Sequence, residues 1–386
     1  MSLQRRQFLG AAPAALAAIS APTFASTDTP VAPQGFAGAS PIHPMRATSD
    51  RIVDIRVCLR PFRAQGPRIE AERKYGKTIV HHYGHGGSGW SLSWGSARVA
   101  LPMIQATKQR NIAIIGCGAI GLTTARVAQR AGLRVRIYCK DRPPEVASAG
   151  ATGLWTPDSR ICTTEHATPE FVQRWQWMAR SAFQTYQSLL GVEGQPVEWR
   201  DGYVLSDTPF DQGPHGYPNE PDYPELSADV PELHPRSMAL AAGEHPFRVE
   251  HARRFTQMTF NIASYQRLLL EDFYREGGEI VQREFTSPRQ WSGLPEHTIV
   301  NCTGYGARAL LGDNSITPVR GQTARLVPQP EVDYILMYRG HNVIAVPRRD
   351  GILVQSQGEH DFGNEDASID RAISETAVER LAGLFA

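Results

Sequence analysis

The sequence predicts an α/β fold, a Rossmann-like dinucleotide-binding domain joined to a second domain built on a mixed or antiparallel sheet. Three observations predict it. Residues 111–141 read as strand, glycine turn, helix, strand and acid in that order. Residues 192–255 are rich in Pro, His and acidic side chains with short β-like pieces, the pattern of a loop-and-strand domain. The length, 386 residues, accommodates both units.

Each part of the first unit has a mechanical reason. Ile112, Ala113, Ile114 and Ile115 form a buried-strand run leading into Gly116-x-Gly118-x-x-Gly121. Gly116 permits the tight turn, Gly118 lets backbone approach a pyrophosphate, and Gly121 lets the helix pack on the strand. Ala119 and Ile120 open that helix, whose N-terminus favours phosphate charge. The next strand, 135–138, delivers Asp141, which follows Gly121 by 20 residues and is placed to accept a ribose hydroxyl. The motif serves FAD and NAD alike.

Further along, 147–157 is a small-residue loop ending in Gly-Leu-Trp-Thr-Pro. Thr168 and Pro169 then start a helix with a hydroxyl cap, and Phe171, Trp175, Ala179, Ala182, Tyr186 and Leu190 line its core face. A helix over 264–276 and strands over 279–285 and 297–301 follow, the last running into Cys302-Thr303-Gly304, and 369–384 reads as a helix. The most distinctive stretch precedes the nucleotide motif: Leu59-Arg60-Pro61-Phe62-Arg63, then HHYGHGGSGWSLSWG from His81 to Gly95. Its glycines imply close approach of backbone to something, and a loop entering a helix presents N–H groups to an anion or a ring edge. His81, His82 and His85 lack a further ligand at metal spacing, so no metal is expected.

Composition excludes several classes. Hydrophobic residues make up 41% and charged residues 20%, which rules out disordered, collagenous and disulfide-scaffold chains. With 40 Lys+Arg against 39 Asp+Glu, the net charge of +1 gives no electrostatic basis for nucleic-acid binding. Five cysteines without C-x-x-C spacing argue against structural zinc, and they define no disulfide pairing. No apolar run approaches the roughly 18 residues of a spanning helix, so no stable membrane insertion is expected. The N-terminus, MSLQRRQFLGAAPAALAAISAPTFAS, has Arg5 and Arg6 ahead of Phe8 and Leu9, a short Ala-rich stretch and a small-residue cleavage site after Ala25. It resembles a twin-arginine signal, read by the Tat export machinery, and implies a periplasmic or secreted protein.

At this point the motifs converge on a family. GAIGL at 118–122, VASAGATGLWTP, VNCTG, Arg320-Gly321-Gln322, and LRPFRAQGPRIE with HHYGHGGSGWSLSWG resemble the D-amino-acid oxidase family of FAD enzymes. In that family the arginine and glycine-loop segments close the chain, whereas here they come first. The resemblance therefore implies a circular permutation, with the region around Ser49 close to the C-terminus. It divides the chain into signal (1–25), tether (26–49), permuted segment (50–110), Rossmann core (111–160), mainly substrate domain (161–275), return to the FAD domain (276–325), and substrate-domain strands with a terminal helix (326–386).

The resemblance implies roles as well. Gly116, Gly118 and Gly121 would hold the pyrophosphate, and Asp141 with Arg142 the adenosine side. Ser148, Gly153 and Leu154 would lie along the flavin, with Thr303 and Phe285 near the ribityl or adenine portion. Gly86, Gly87, Ser88, Gly89, Trp90 and Ser91 would wrap the isoalloxazine. Arg60 would pair bidentately with a substrate carboxylate, and the Gly87 carbonyl would accept the amine proton. Thr156 stands at a polar substrate position. The family's active-site tyrosine is replaced by Ile344, with Tyr338 or Tyr334 nearest in sequence; apart from the resemblance, Arg348 and Arg349 read either as a second carboxylate site or as solvated turn charges. The implied reaction moves hydride from an amino-acid Cα to flavin N5. The imine hydrolyses to a 2-oxo acid and ammonia, and O2 or another acceptor takes the electrons, giving H2O2 in the case of O2. A related flavin amine oxidoreductase acting on glycine, a secondary amine, D-aspartate or D-glutamate is the alternative, as is a flavin-binding protein without turnover.

Overall fold

The computed structural model describes residues 42–212 and 219–385. The segments read from the sequence as signal (1–25) and, for the most part, as tether (26–49) lie outside the described residues.

The chain opens with β1 (Ile52–Arg63), β2 (Arg68–Lys74), β3 (Lys77–Tyr83) and α1 (Gly89–Gln105). The nucleotide motif then forms β4 (Asn111–Ile115), α2 (Ala119–Arg130) and β5 (Arg134–Cys139). Next come α3 (Pro169–Gln187), β6 (Val197–Ser206), β7 (Met238–Leu240), β8 (His251–Phe260), α4 (Ile262–Arg275), β9 (Glu279–Gln282) and β10 (Thr298–Asn301). The remainder is α5 (Ala307–Leu311), β11 (Ile316–Leu326), β12 (Ile335–Tyr338), β13 (Val343–Arg348), β14 (Gly351–Ser356) and α6 (Arg371–Ala382).

One sheet has the order β2-β3-β10-β4-β5-β9, parallel except for the edge strand β2. Strand β4 runs through its centre, and its apolar run is continuous because both faces are covered. Ile112 and Ile114 face the helices α1–α4, whereas Ala113 and Ile115 face Trp291, Leu294 and Tyr138. Helix α3 begins as the sequence requires, with Thr168 Oγ1 accepting from the Phe171 N–H and Pro169 in its first turn. Its Phe171, Trp175, Ala179, Ala182 and Tyr186 are buried in that same core.

The second sheet has the order β1-β11-β14-β13-β12-β6-β8-β7, antiparallel except between β12 and β6. Three sequence boundaries shift. Strand β11 belongs to this sheet, so the return to the first sheet ends at Asn301. Strand β1 also lies here, while β2, β3 and α1 complete the first sheet and its helical layer. Helices α3 and α4 pack in the core of the first sheet, leaving β6–β8 as the part of 161–275 that builds the second. On this sheet α6 is capped by Asp370, whose Oδ1 accepts from Ala372 and Ile373. Its Val378 and Leu381 share one apolar cluster with Leu384 and with Met45, Ala47 and Ile52.

His82 and His85 share the Ser96 hydroxyl while His81 turns to Glu72, and no metal-holding cluster exists among the described residues. His81 pairs with Glu72 at 3.0 Å and lies 3.2 Å from Asn301 Nδ2. His82 lies between Thr124 Oγ1 and Ser96 Oγ, and His85 Nε2 meets Ser96 Oγ at 2.6 Å. Burial pushes His82 well below the ordinary imidazole range and His85 down to about 3. The unfolded chain protonates such groups near 6.5, whereas the fold keeps them neutral. The stability they contribute is complete above pH 6.5 and is lost as pH falls toward 3. Thermal melts should therefore drop between pH 7 and pH 4, and His85→Asn should flatten that drop. An unchanged slope in the variant would show that other groups dominate.

Candidate functional site

Two helix beginnings meet at one residue. The Ala119 N–H, first in α2, donates to Ser148 Oγ at 3.1 Å. The Trp90 indole N–H, in the first turn of α1, donates to the Ser148 carbonyl at 2.9 Å. The glycine loop of 84–89 and the nucleotide turn of 116–121 thus share a boundary, although they lie on different connections of the sheet. Helix starts expose N–H groups that no intrahelical carbonyl accepts. Among the described residues, no acceptor reaches the N–H groups of Cys117, Gly118, Ile120 and Gly121, or of Gly89, Trp90 and Ser91.

The glycines divide into two kinds. At φ +110°, Gly116 would bring a Cβ to 2.5 Å from the Cys302 carbonyl, and a Cβ on Gly121 would lie 2.1 Å from the Gly116 carbonyl. Those two are required by the chain itself, and the Val-Asn-Cys-Thr-Gly run meets the nucleotide turn there. Gly118 is different: its Cβ would meet only Ser148 Oγ at 3.3 Å, and one on Gly89 would meet nothing within 4 Å. The chain itself therefore does not require a glycine at either position. In the second loop Gly86, at φ +54°, packs on the Arg160 carbonyl, and Gly87 packs on Ser159. The close approach read from those glycines is thus to residues 159–160. The Gly86 and Gly87 N–H groups donate to Pro61 and Ser159, both carbonyls, and Ser88 Oγ donates to the Ser159 carbonyl.

Arg60 enters from β1. The Gly86 N–H bonds the carbonyl of Pro61 at 2.9 Å, which ties the glycine loop to the residue after Arg60. The Arg60 guanidinium donates to Gln357 Oε1 at 3.1 Å and rests on Gly321 of β11, where a Cβ would lie 2.4 Å from Nη2. Gly321 is thus a flat floor for the guanidinium, a role invisible in sequence.

Other candidates gather around these elements. Ser91 Oγ donates to the Leu154 carbonyl at 3.4 Å and accepts from the Thr156 N–H at 2.8 Å. The Gly153 carbonyl accepts from the Phe260 N–H at 2.7 Å, holding the loop to the end of β8. Leu154 shares an apolar cluster with Ile344, Met337 and Phe255. Thr303 turns back on Asn301 Oδ1 through its N–H and hydroxyl. Toward the β5–β9 side, Arg142 donates to the Ile280 carbonyl at 3.1 Å and Phe285 packs edge-on to Tyr138. Asp141 is exposed and 3.8 Å from Lys140.

Four candidates fall elsewhere. Met337 pairs with Ile344 across β12 and β13, so Tyr338, paired with Val343, faces the opposite side and bonds Asp207 at 2.9 Å. Tyr334 is buried on that side too, donating to the His43 carbonyl. Arg348 and Arg349 are engaged by Asp350 and Glu198, which removes the second carboxylate site suggested for them. Sequence reasoning missed Arg160, Glu220, Tyr223 and Gln357, which lie in one hydrogen-bonded group beside Arg60. All five cysteines are free.

The residues fit a flavin dinucleotide. Free N–H groups at the start of α2 suit a pyrophosphate, Gly118 leaves room for it, and the buried His85 Nδ1 has no partner among the described residues. Comparison with known proteins agrees. Residues 111–386 match the FAD dependent oxidoreductase family, a match that leaves Arg60 and the glycine loop outside it. The chain is similar to a D-amino-acid oxidase of Dictyostelium discoideum, 26% identical over 70% of this chain and 72% of that one. It is also similar to a D-amino-acid oxidase of Streptomyces coelicolor, 29% identical over 71% and 77%. A D-aspartate oxidase of Talaromyces thermophilus is 44% identical over 66 residues, 16% of this chain and 18% of that one.

The two kinds of glycine separate experimentally. Gly118→Ala should change stability by under about 1 kcal/mol yet strip FAD from the purified protein. Gly121→Ala should cost about 1–3 kcal/mol through overpacking against the Gly116 carbonyl. Thermal melts of the apoprotein with flavin absorbance of the purified holoprotein check both.

Proposed function

The chain belongs to the FAD dependent oxidoreductase family, with FAD as its cofactor, and from that premise we propose that it deaminates a D-amino acid oxidatively to a 2-oxo acid and ammonia. The observation that carries this reading is the seat of Arg60. Its guanidinium lies on Gly321, and its strand is bonded to the glycine loop, whose helix start shares Ser148 with the nucleotide turn.

FAD, when bound, supplies the electron-accepting chemistry; the chain binds, orients and shields. Arg60 pairs with the substrate carboxylate, where a planar guanidinium gives two parallel hydrogen bonds. The Gly87 carbonyl, to which no described residue donates, accepts a proton of the amine. No dedicated general base is needed for an amine that binds neutral. Leu154, Ile344 and Met337 form an apolar wall that keeps water from the Cα–H. The imine leaves this wall and hydrolyses in water. The resemblance to D-amino-acid oxidases in two organisms favours the D configuration. With Arg348 and Arg349 engaged, an acidic side chain has no support from those two residues.

Two further points belong to the proposal. The order of segments is that of a circular permutation, supported by the family match beginning at residue 111 and by the cluster joining α6 to residues 42–52. Export through the Tat machinery follows from Arg5 and Arg6, which lie outside the described residues.

The anaerobic visible spectrum of the FAD-loaded protein tests the reaction. A pool of D-amino acids should bleach the flavin bands, and bleaching by L-amino acids alone would overturn the stereochemical part. Arg60→Ala should lower kcat/KM by one to two orders of magnitude, matching a loss of about 1.5–3 kcal/mol for a charged hydrogen bond. Gly321→Ala should raise KM without lowering the melting temperature, because its Cβ meets only the tip of a flexible side chain. For export, replacing Arg5 and Arg6 by lysines should hold a precursor in the cytoplasmic fraction, whereas unaltered fractionation would reject the twin-arginine reading.

A further inference from the structure

Behind Arg60 lies a buried ion pair that the proposed reaction does not use. Arg160 forks onto Glu220 with bonds of 2.7 and 2.8 Å, and the two side chains are 8% and 2% exposed. The Tyr223 hydroxyl donates to Glu220 at 2.7 Å, and its ring stacks edge-on to Phe62, two residues from Arg60 on β1. Gln357 closes the circuit: its amide NH2 faces Glu220 Oε1 at 3.5 Å, while its Oε1 accepts from Arg60 at 3.1 Å.

Two features mark this as more than packing. A glutamine amide has a donor end and an acceptor end of the same shape, and a carboxylate accepts only from the donor end. Glu220 therefore dictates that Gln357 turns its carbonyl toward Arg60. In addition, Arg160 holds a left-handed backbone at φ +50°, rare for a side chain of its size. That conformation puts its carbonyl against Gly86 while its side chain grips Glu220.

We propose that Glu220, held by Arg160 and Tyr223, is a positioning residue that orients Gln357 and through it the Arg60 guanidinium, and that Arg160 ties this relay to the glycine loop. The proposal rests on the reading of Arg60 as the substrate carboxylate anchor. A relay of this kind acts on carboxylate binding before it acts on the chemical step. Its signature is a change in KM with kcat preserved.

The test uses the FAD-loaded full chain. Gln357→Leu and Glu220→Gln should each raise KM for the best D-amino acid about tenfold with kcat within about twofold. Each should weaken binding of benzoate, an unreactive carboxylate read by its shift of the flavin spectrum, by a similar factor. The double variant should be no worse than the poorer single one, since both changes break one relay. Gln357→Leu removes no charge, so it keeps the test alive if Glu220→Gln fails to fold. Variants that match wild type in KM and benzoate affinity, or whose effects multiply, overturn the relay while leaving the proposed function standing. Wild-type protein that neither bleaches nor responds to benzoate overturns both.

Discussion

The unsatisfied N–H groups at the starts of α1 and α2 are the constraint around which the rest of the site is organised. A helix beginning buried against protein needs acceptors; Ser148 supplies one to α2, its hydroxyl accepting from the Ala119 N–H, while its carbonyl accepts the Trp90 indole N–H from the first turn of α1. That leaves further N–H groups at both helix starts without an acceptor among the described residues, the donor set that suits a phosphate. The arrangement of strands serves this end: β4 lies between β10 and β5, and the Cys302 carbonyl at the exit of β10 presses against Gly116. The second sheet then brings β1, and with it Arg60, alongside the glycine loop through the bond from Gly86 to Pro61.

Much of this was legible in the residues because it is local. A central parallel strand must be apolar on both faces, so 112–115 announces β4, and Gly116 and Gly121 are forced by contacts within a few residues of themselves. Thr168 with Pro169 marks a helix start by the same local logic. What escaped is long-range. The floor that Gly321 makes for Arg60 and the pairing of Arg160 with Glu220 join segments far apart, with no spacing rule to betray them. Tyr338 shows a subtler failure. Nearness in sequence to Ile344 suggested a substitute hydroxyl, but register decides the face of a strand, and the pairing of Met337 with Ile344 sends the tyrosine to the other side.

The polar interior follows one rule throughout. Buried ionic groups are paired, as Arg160 is with Glu220 and Arg348 with Asp350, because an isolated charge away from water is too costly to keep. His82 and His85 are instead held neutral by burial, with the Ser96 hydroxyl as an uncharged partner to both, while the buried His81 pairs with Glu72. Leu154, Met337 and Ile344, by contrast, belong to an apolar cluster with no charged or hydroxyl-bearing member.

The strand that carries Arg60 has a consequence for biogenesis. Strand β1 emerges from the ribosome early, yet its antiparallel partner is β11, and Arg60 and Arg320 are 260 residues apart. Throughout most of translation β1 has no neighbour for its backbone donors and acceptors, and its sheet cannot close. An unpaired strand is the part of a nascent chain most open to misassociation. The longer synthesis takes, the longer the backbone groups of β1 stay unpaired, and a chaperone that shields extended segments would cover them in that interval.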